Sequence, residues 1–516
     1  VPVTVRDGTV LRVNVFRPAV EGHYPVIMCA HPYGKDGLPH RGRRGYRPNF
    51  QYRLMRQSAP LRISAWTSWE APDPAFWVRR GYVVVNCDLR GFGHSEGEGT
   101  LISDAEAQDY HDLIEWAGVQ VWSSGRVGLN GVSYLALSQW KVAALRPPHL
   151  AAICPWEGFS DLYRDFARPG GIREDGFFRI WAASVRRHGR TRDNLRREQL
   201  ARPLDDDWWT ARTAELERIE VPALICASFS DHNLHSRGSF EGFRRIASQH
   251  RWLYTHRGGK WATYYSREAL AFQSRFFDYF LKDVQNGMLD VPRVRLEVRE
   301  SGDTVHTVRA EATWPLARTR WTPLYLHSDR TLRDTPAAEP ATVVFDTRRG
   351  RASFTWQAPT DLELTGPIKL RLQIEVRGAD DVLLFAGVHK LRGGVQVPFE
   401  GSYGFGYDTV TKGWLKASHR LFDEARSEPW RPVHPHTTRA PLHPGEVVPV
   451  EIELLPSATF FRRGDTLRLD IQGHWLFRTD PLLGAFPARY ASSPPGTAVL
   501  HCGAAFDAHL LVPIVP

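Results

Sequence analysis

Two stretches of this chain set a serine among small residues in the way a nucleophile requires. Gly93-His94-Ser95-Glu96-Gly97 fits the pattern G-x-S-x-G letter for letter. Gly131-Val132-Ser133-Tyr134-Leu135-Ala136 fits it loosely, with Leu135 where the second glycine is expected and Ala136 one place later. Such a serine sits on a tight strand-to-helix turn, and its small neighbours let backbones pass closely. Ser133 follows the strand-like run RVGLN and leads directly into YLALSQWKVAAL, a helix-forming segment whose N-terminus would lie beneath the hydroxyl. Ser95 lies in GFGHSEGEGT, where no helix begins, so a tight turn explains it better. Context therefore favours Ser133.

A nucleophilic serine needs a base to take its proton and an acidic residue to orient that base. In hydrolases whose nucleophile sits on such an elbow, the acid and then the histidine follow the serine in the chain, each at a strand's C-terminal end. The run VPALICASF ends at Ser230-Asp231, in the right order and place. Asp161 and Asp165 compete, but they fall in a segment without strand pattern. The next run, RWLYT, ends at His256, the only histidine between Arg251 and Val291. His250 precedes that strand and so belongs at the opposite sheet edge. The expected catalytic set is Ser133, Asp231 and His256.

Positioning these residues requires a parallel sheet, and the first half of the chain reads as one. Val3–Val15 alternates around Asp7-Gly8, a hairpin signal. Pro25–Ala30, Tyr82–Asp88, Arg126–Asn130, Ala151–Pro155, Ala223–Phe229 and Trp252–His256 are apolar at nearly every position, as strands covered on both faces must be. Helical patterns at Asp104–Ala117, Tyr134–Ala144 and Arg237–Ser248 separate several of them. Residues 40–72 form an aromatic and basic insertion, and residues 158–218 hold Trp- and Arg-rich helical segments that read as a cap. From Val291 onward alternating strands such as IKLRLQIEV and VVPVEIEL, divided by Pro, Gly and Asp, suggest an antiparallel sandwich or jelly roll.

Asn130-Gly131-Val132-Ser133-Tyr134, the earlier DLRGFGHSEG (Asp88–Gly97) and the HPYGKD turn (His31–Asp36) together resemble the cocaine esterase/NonD (CocE/NonD) hydrolase family. Its relatives include X-prolyl dipeptidyl-peptidases and α-amino-acid ester hydrolases. The resemblance spans nearly the whole chain and implies an α/β fold: an α/β-hydrolase core at 1–157 and 219–286, a helical cap at 158–218, and a C-terminal all-β jelly roll at 287–516. It further implies a serine esterase working through an acyl-enzyme, with an X-prolyl peptidase, amidase or acyltransferase on the same triad as the alternative. The Tyr33 hydroxyl would join the Tyr134 backbone N–H in holding the oxyanion. Family members often carry the histidine in a G-P-W-x-H-like stretch, whereas this loop reads Arg-Gly-Gly-Lys-Trp.

The substrate pocket is expected between the sheet edge, the cap and a jelly-roll loop, with Trp66, Trp69, Trp156 and Phe159 as apolar candidates. Glu157 and Asp161 are candidates for holding a substrate amine. Aromatic residues make up 12% of the 516 residues, which favours large cores and a substrate with an apolar group. The net charge of +9 is spread over scattered arginines, the densest stretch being RGRRGYR at Arg41–Arg47, so no nucleic-acid or membrane patch is expected.

Neither a phosphate loop nor a dinucleotide fingerprint occurs, so no cofactor is expected. His434, His436 and His443 lie in a Pro-rich loop without carboxylate or thiol partners at ligand spacing, so no metal is expected there. Five scattered cysteines read as buried thiols in a reducing compartment. No run reaches the roughly 18 apolar residues of a membrane span. The expected location is cytoplasmic, with room for a removed leader because no initiator Met is present. Self-association is left open. A carbohydrate-binding or scaffold protein with a decayed core is the rival from another class, and the intact Ser, Asp, His order argues against it.

Overall fold

The computed structural model describes residues 1–42, 45–55, 59–404, 406–477 and 486–516. Arg43 and Arg44 of the basic stretch lie outside the described residues. The chain divides into two compact units: residues 1–165, 179–200 and 207–295 in the first, and 166–178, 201–206 and 296–516 in the second.

The first unit is built on one sheet. Pro2–Thr4 pairs antiparallel with Val10–Phe16, which pairs antiparallel with Val83–Asp88. From there every neighbour is parallel: Val83–Asp88, Tyr24–His31, Ser123–Val132, Leu150–Trp156, Ala223–Ser228, Arg251–His256, and finally Val294 and Arg295. Strands such as Val83–Asp88 and Ala223–Ser228 are buried at every residue, which is why they read as unbroken apolar runs rather than alternating ones. Because Val294 and Arg295 extend this sheet beside Leu253 and Tyr254, the unit reaches beyond residue 286.

Helices Asp104–Gly118, Tyr134–Ala143, Ser236–Arg245 and Arg267–Lys282 accompany the strands. Ser103 caps the first of these by accepting from the Glu106 N–H at 3.2 Å, and Glu106 reaches back to the Ile102 N–H at 3.1 Å. The parallel arrangement brings the ends of Ser123–Val132, Ala223–Ser228 and Arg251–His256 to one edge. Ligand sites of such sheets form at the carboxyl ends of the strands.

The second unit is an antiparallel β-sandwich. In one sheet, Leu362–Arg377 pairs with Val448–Phe461, Thr497–Cys502 and His509–Val515. In the other, Thr466–Gln472 lies between Arg351–Gln357 and Leu383–Arg392, and Leu383–Arg392 also pairs with Thr411–Lys416. Their inner faces, with Leu370, Ile452 and Leu510 from the first and Phe354, Leu384 and Leu469 from the second, share one core cluster. His434 has both ring nitrogens 2.9 Å from backbone carbonyls, of Leu421 and Glu451.

All five cysteines are buried and free of disulfides. Among the described residues no helix is long and apolar enough to cross a membrane.

Candidate active site

Ser133 follows the strand Ser123–Val132 and stands at the N-cap position of the helix Tyr134–Ala143 with φ 61° and ψ −115°. A non-glycine residue held there is strained, as expected of a nucleophile that the fold forces outward. Its N–H donates to the Trp156 carbonyl at 3.1 Å, and the Val132 N–H donates to that of Glu70 at 3.2 Å, which fixes the turn from two sides. The loosened pattern has a steric explanation. A Cβ on Gly131 would stand 2.4 Å from the Leu135 Cβ, and one on Gly158 would stand 2.6 Å from the Ala136 Cβ. The close approaches are real, but Gly158 on the facing loop supplies the space, so Ala136 suffices on the helix.

Ser95 has a different role. Its Oγ donates to the Asp88 carbonyl at 2.8 Å and accepts from the Arg12 N–H at 2.9 Å, tying a turn to the sheet.

The imidazole that meets Ser133 is that of His235, with Nε2 3.2 Å from the serine Oγ. The other ring nitrogen, Nδ1, lies 2.5 Å from Asp231 Oδ2. Asp231 and His235 share one turn after the strand Ala223–Ser228: the Leu234, His235 and Ser236 N–H groups all donate to the Asp231 carbonyl. Four-residue spacing on such a turn puts both side chains on the same side. The Phe159 ring stacks on the His235 ring at 6.1 Å, restricting its plane.

The expectation that His256 is the base does not match this geometry. His256 Nδ1 accepts from the Gly258 N–H at 3.2 Å, so its proton is on Nε2, which donates to Glu157 Oε1 at 3.0 Å. Both nitrogens are used, and the ring stacks on Trp156. The sequence signal for the actual partner was Asp231-x-x-x-His235, an acid and an imidazole at helical spacing directly after a strand.

Lys260, the first residue of the short helix Lys260–Tyr264, is buried against this group. Its Nζ lies 2.7 Å from Asp231 Oδ2, 2.8 Å from His235 Nδ1 and 3.9 Å from Glu157 Oε2. Burial opposes ionisation of Asp231, but Lys260 and His235 outweigh it and hold the carboxyl well below its ordinary range. Burial, and then the Lys260 charge, push the His235 pKa down against the opposing pull of Asp231.

Of the two expected oxyanion donors, Tyr134 is the first residue of its helix, so its N–H has no acceptor within the helix. Tyr33 lies beside it, the two rings meeting edge to face at 6.0 Å. The Tyr33 hydroxyl accepts the Trp181 indole N–H at 3.2 Å, leaving its own proton for another acceptor. Burial pushes the Tyr33 pKa up, so the phenol stays protonated and able to donate.

The remaining candidates separate. Trp69 packs against Tyr52 and Trp261 with ring centroids 4.3 and 5.0 Å apart, and Trp261 donates to Glu70 at 2.9 Å. Burial raises the Glu70 pKa to about 8. Trp156 is fully buried among Tyr254, His256 and Tyr264, a core residue rather than a pocket wall. Trp66 is 55% exposed against Phe16. Glu157 and Asp161 are not presented to a substrate amine: Glu157 faces His256, and Asp161 pairs with Arg164 at 2.9 Å. Asp165 pairs with Arg237 at 2.8 Å. Trp181, which sequence reasoning missed, reads in the chain as one more core residue of an amphipathic helix.

Glu157, Cys226 and His256 bring one ligand atom each within 4.8 Å of one another. The His256 Nε2 proton is committed to Glu157, and the Lys260 ammonium at 3.9 Å from that carboxylate already supplies a cation.

Residues 7–260 match the family described as X-Pro dipeptidyl-peptidase (S15 family), and residues 286–511 match its C-terminal non-catalytic domain. A cocaine esterase from Rhodococcus sp. is 29% identical over 383 residues, covering 63% of this chain and 61% of the relative. The curated match thus spans about three-fifths of that relative's length. An α-amino acid ester hydrolase structure shares the fold, with a TM-score of 0.69 at 16% identity over 100% of this chain and 96% of that one. A crystal structure of a CocE/NonD family hydrolase from Staphylococcus aureus superposes with a TM-score of 0.94 at 39% identity, covering 100% of this chain and 93% of that one. With that likeness running through both units, the chain belongs to the CocE/NonD family of hydrolases.

Proposed function

We propose that this protein is a serine esterase working through an acyl-enzyme, with Ser133 as nucleophile, His235 as base and then acid, and Asp231 as its orienting partner. The observation that carries this reading is the hydrogen-bonded line from Ser133 Oγ to His235 Nε2 at 3.2 Å and on from Nδ1 to Asp231 at 2.5 Å. His235 takes the serine proton as Oγ bonds to the carbonyl carbon, and Asp231 stabilises the imidazolium that forms. The carbonyl oxygen, now negative, is held by the Tyr134 N–H and the Tyr33 hydroxyl. His235 then returns the proton to the leaving alcohol, and a water activated the same way releases the acid. Substrates are small esters with an apolar group.

The match of residues 7–260 to the X-Pro dipeptidyl-peptidase family favours amide cleavage after proline as the second reading. A fluorophosphonate should label Ser133, and Ser133→Ala should abolish hydrolysis of p-nitrophenyl acetate while the fold is kept. Label found on Ser95 instead would overturn the assignment. Turnover of Gly-Pro-p-nitroanilide above that of simple esters would favour the peptidase reading.

A further inference from the structure

The buried cation behind the triad has no part in the reaction just described. We propose that Lys260 is a positioning residue: its ammonium, paired with Asp231 beside the His235 ring, offsets the negative charge behind the imidazole, so His235 stays neutral and active as a base in mildly acidic solution. This rests on the esterase reading.

Three observations support it. Lys260 Nζ lies 2.7 Å from Asp231 Oδ2, the same oxygen that receives His235 Nδ1, so imidazole and ammonium share one acceptor atom. Asp231 Oδ1 is buried and accepts no hydrogen bond among the described residues, so the ammonium is the cation that this carboxylate faces directly. Lys260 and His235 are both nearly inaccessible, so the charges act through protein rather than water.

The groups that face this pair from other elements are known. Glu157 approaches Lys260 at 3.9 Å from the loop after Leu150–Trp156, and Glu70 acts on it from farther off, with its carboxyl raised to about 8 by burial. Glu157 favours the imidazolium, whereas burial and Lys260 oppose it. Asp231 Oδ2 accepts the His235 Nδ1–H and pairs with the ammonium at the same time, so the Nε2 lone pair stays turned to Ser133.

The experiment follows the rate of fluorophosphonate labelling of Ser133, and kcat/KM for p-nitrophenyl acetate, against pH in the full chain. The wild type should show its acid inflection below the ordinary histidine value of about 6.5. Lys260→Met should move that inflection up by about one unit or more, with labelling at pH 5.5 falling at least tenfold relative to pH 8. Lys260→Arg should restore part of the shift. A wild-type inflection at or above 6.5 overturns the inference whether or not the variants fold, and so does an unshifted inflection in Lys260→Met. Labelling absent at every pH would instead bring down the esterase reading and this inference with it.

Discussion

Trp181, on the helix Phe177–His188, donates its indole N–H to the Tyr33 hydroxyl at 3.2 Å and so sets the direction of the phenol proposed to hold the oxyanion. With the indole as its donor, the phenol is left with one proton to give, and in the proposed mechanism the charge developing on the substrate carbonyl is its acceptor. Trp181→Phe keeps most of the ring and removes only the N–H. Loss of one neutral hydrogen bond, about 1 kcal/mol, should lower kcat by about 3- to 10-fold with little change in KM. Tyr33→Phe should lower kcat by about 10²–10³. Steady-state kinetics on p-nitrophenyl butyrate checks both, and equal losses in the two variants would refute the indirect role of the indole.

His235 and His256 make opposite predictions. His235→Gln should lower kcat by about 10⁴ or more, because no base then faces Ser133. His256→Gln keeps a donor for Glu157, so kcat should stay within about tenfold of the wild type. Its effect should show as a lower Tm, since the ring that stacks on Trp156 is lost. The reverse ranking of the two variants in kcat would return the base to the strand end at His256.

This contrast also shows what the chain reveals before folding. Ser133 was legible because a strand, a turn and a helix meet at one residue, and Asp231 because it closes an apolar run. The parallel sheet was legible because strands covered on both faces leave unbroken apolar stretches. His235 was not, since position along a turn says where a backbone lies and not which neighbour its ring faces. Trp66, half exposed, and Trp156, fully buried, show the same limit: closeness to a junction in sequence does not choose between solvent, core and pocket. The first unit extends past residue 286 because Val294 and Arg295 pair with Leu253 and Tyr254, a long-range contact that local pattern does not encode.

The relaxed serine motif predicts an asymmetry between its two close approaches. Ala136→Gly adds no contact and should cost the helix propensity and one buried methyl, about 1–2 kcal/mol together, with kcat unchanged. Gly158→Ala places a Cβ 2.6 Å from the Ala136 Cβ and 2.9 Å from the Leu137 backbone nitrogen, and backbone cannot step aside as a flexible side chain would. It should cost about 1–3 kcal/mol and lower kcat by displacing the start of the helix that carries Ser133. Thermal unfolding and ester turnover on both variants test this, and an unperturbed Gly158→Ala would mean that the elbow has slack.

Glu106 links the elbow to the stability of the sheet's helical cover. Its Oε2 accepts from the Tyr134 hydroxyl at 2.6 Å and from the Ile102 N–H at 3.1 Å, and burial raises its pKa from 4.5 to about 7. The folded chain therefore holds this proton more tightly than the unfolded chain. Stability is highest below pH 4.5 for this group, declines as pH rises from 4.5 to 7, and is fully reduced above that. A shift of that size corresponds to at most about 3 kcal/mol. Glu106→Gln retains an oxygen for Tyr134 and Ile102 but has no charge to bury. Its Tm should exceed that of the wild type at pH 8, and the gap should narrow or reverse at pH 4.5. A gap that does not change between the two pH values would show that Glu106 titrates alike in the folded and unfolded chain.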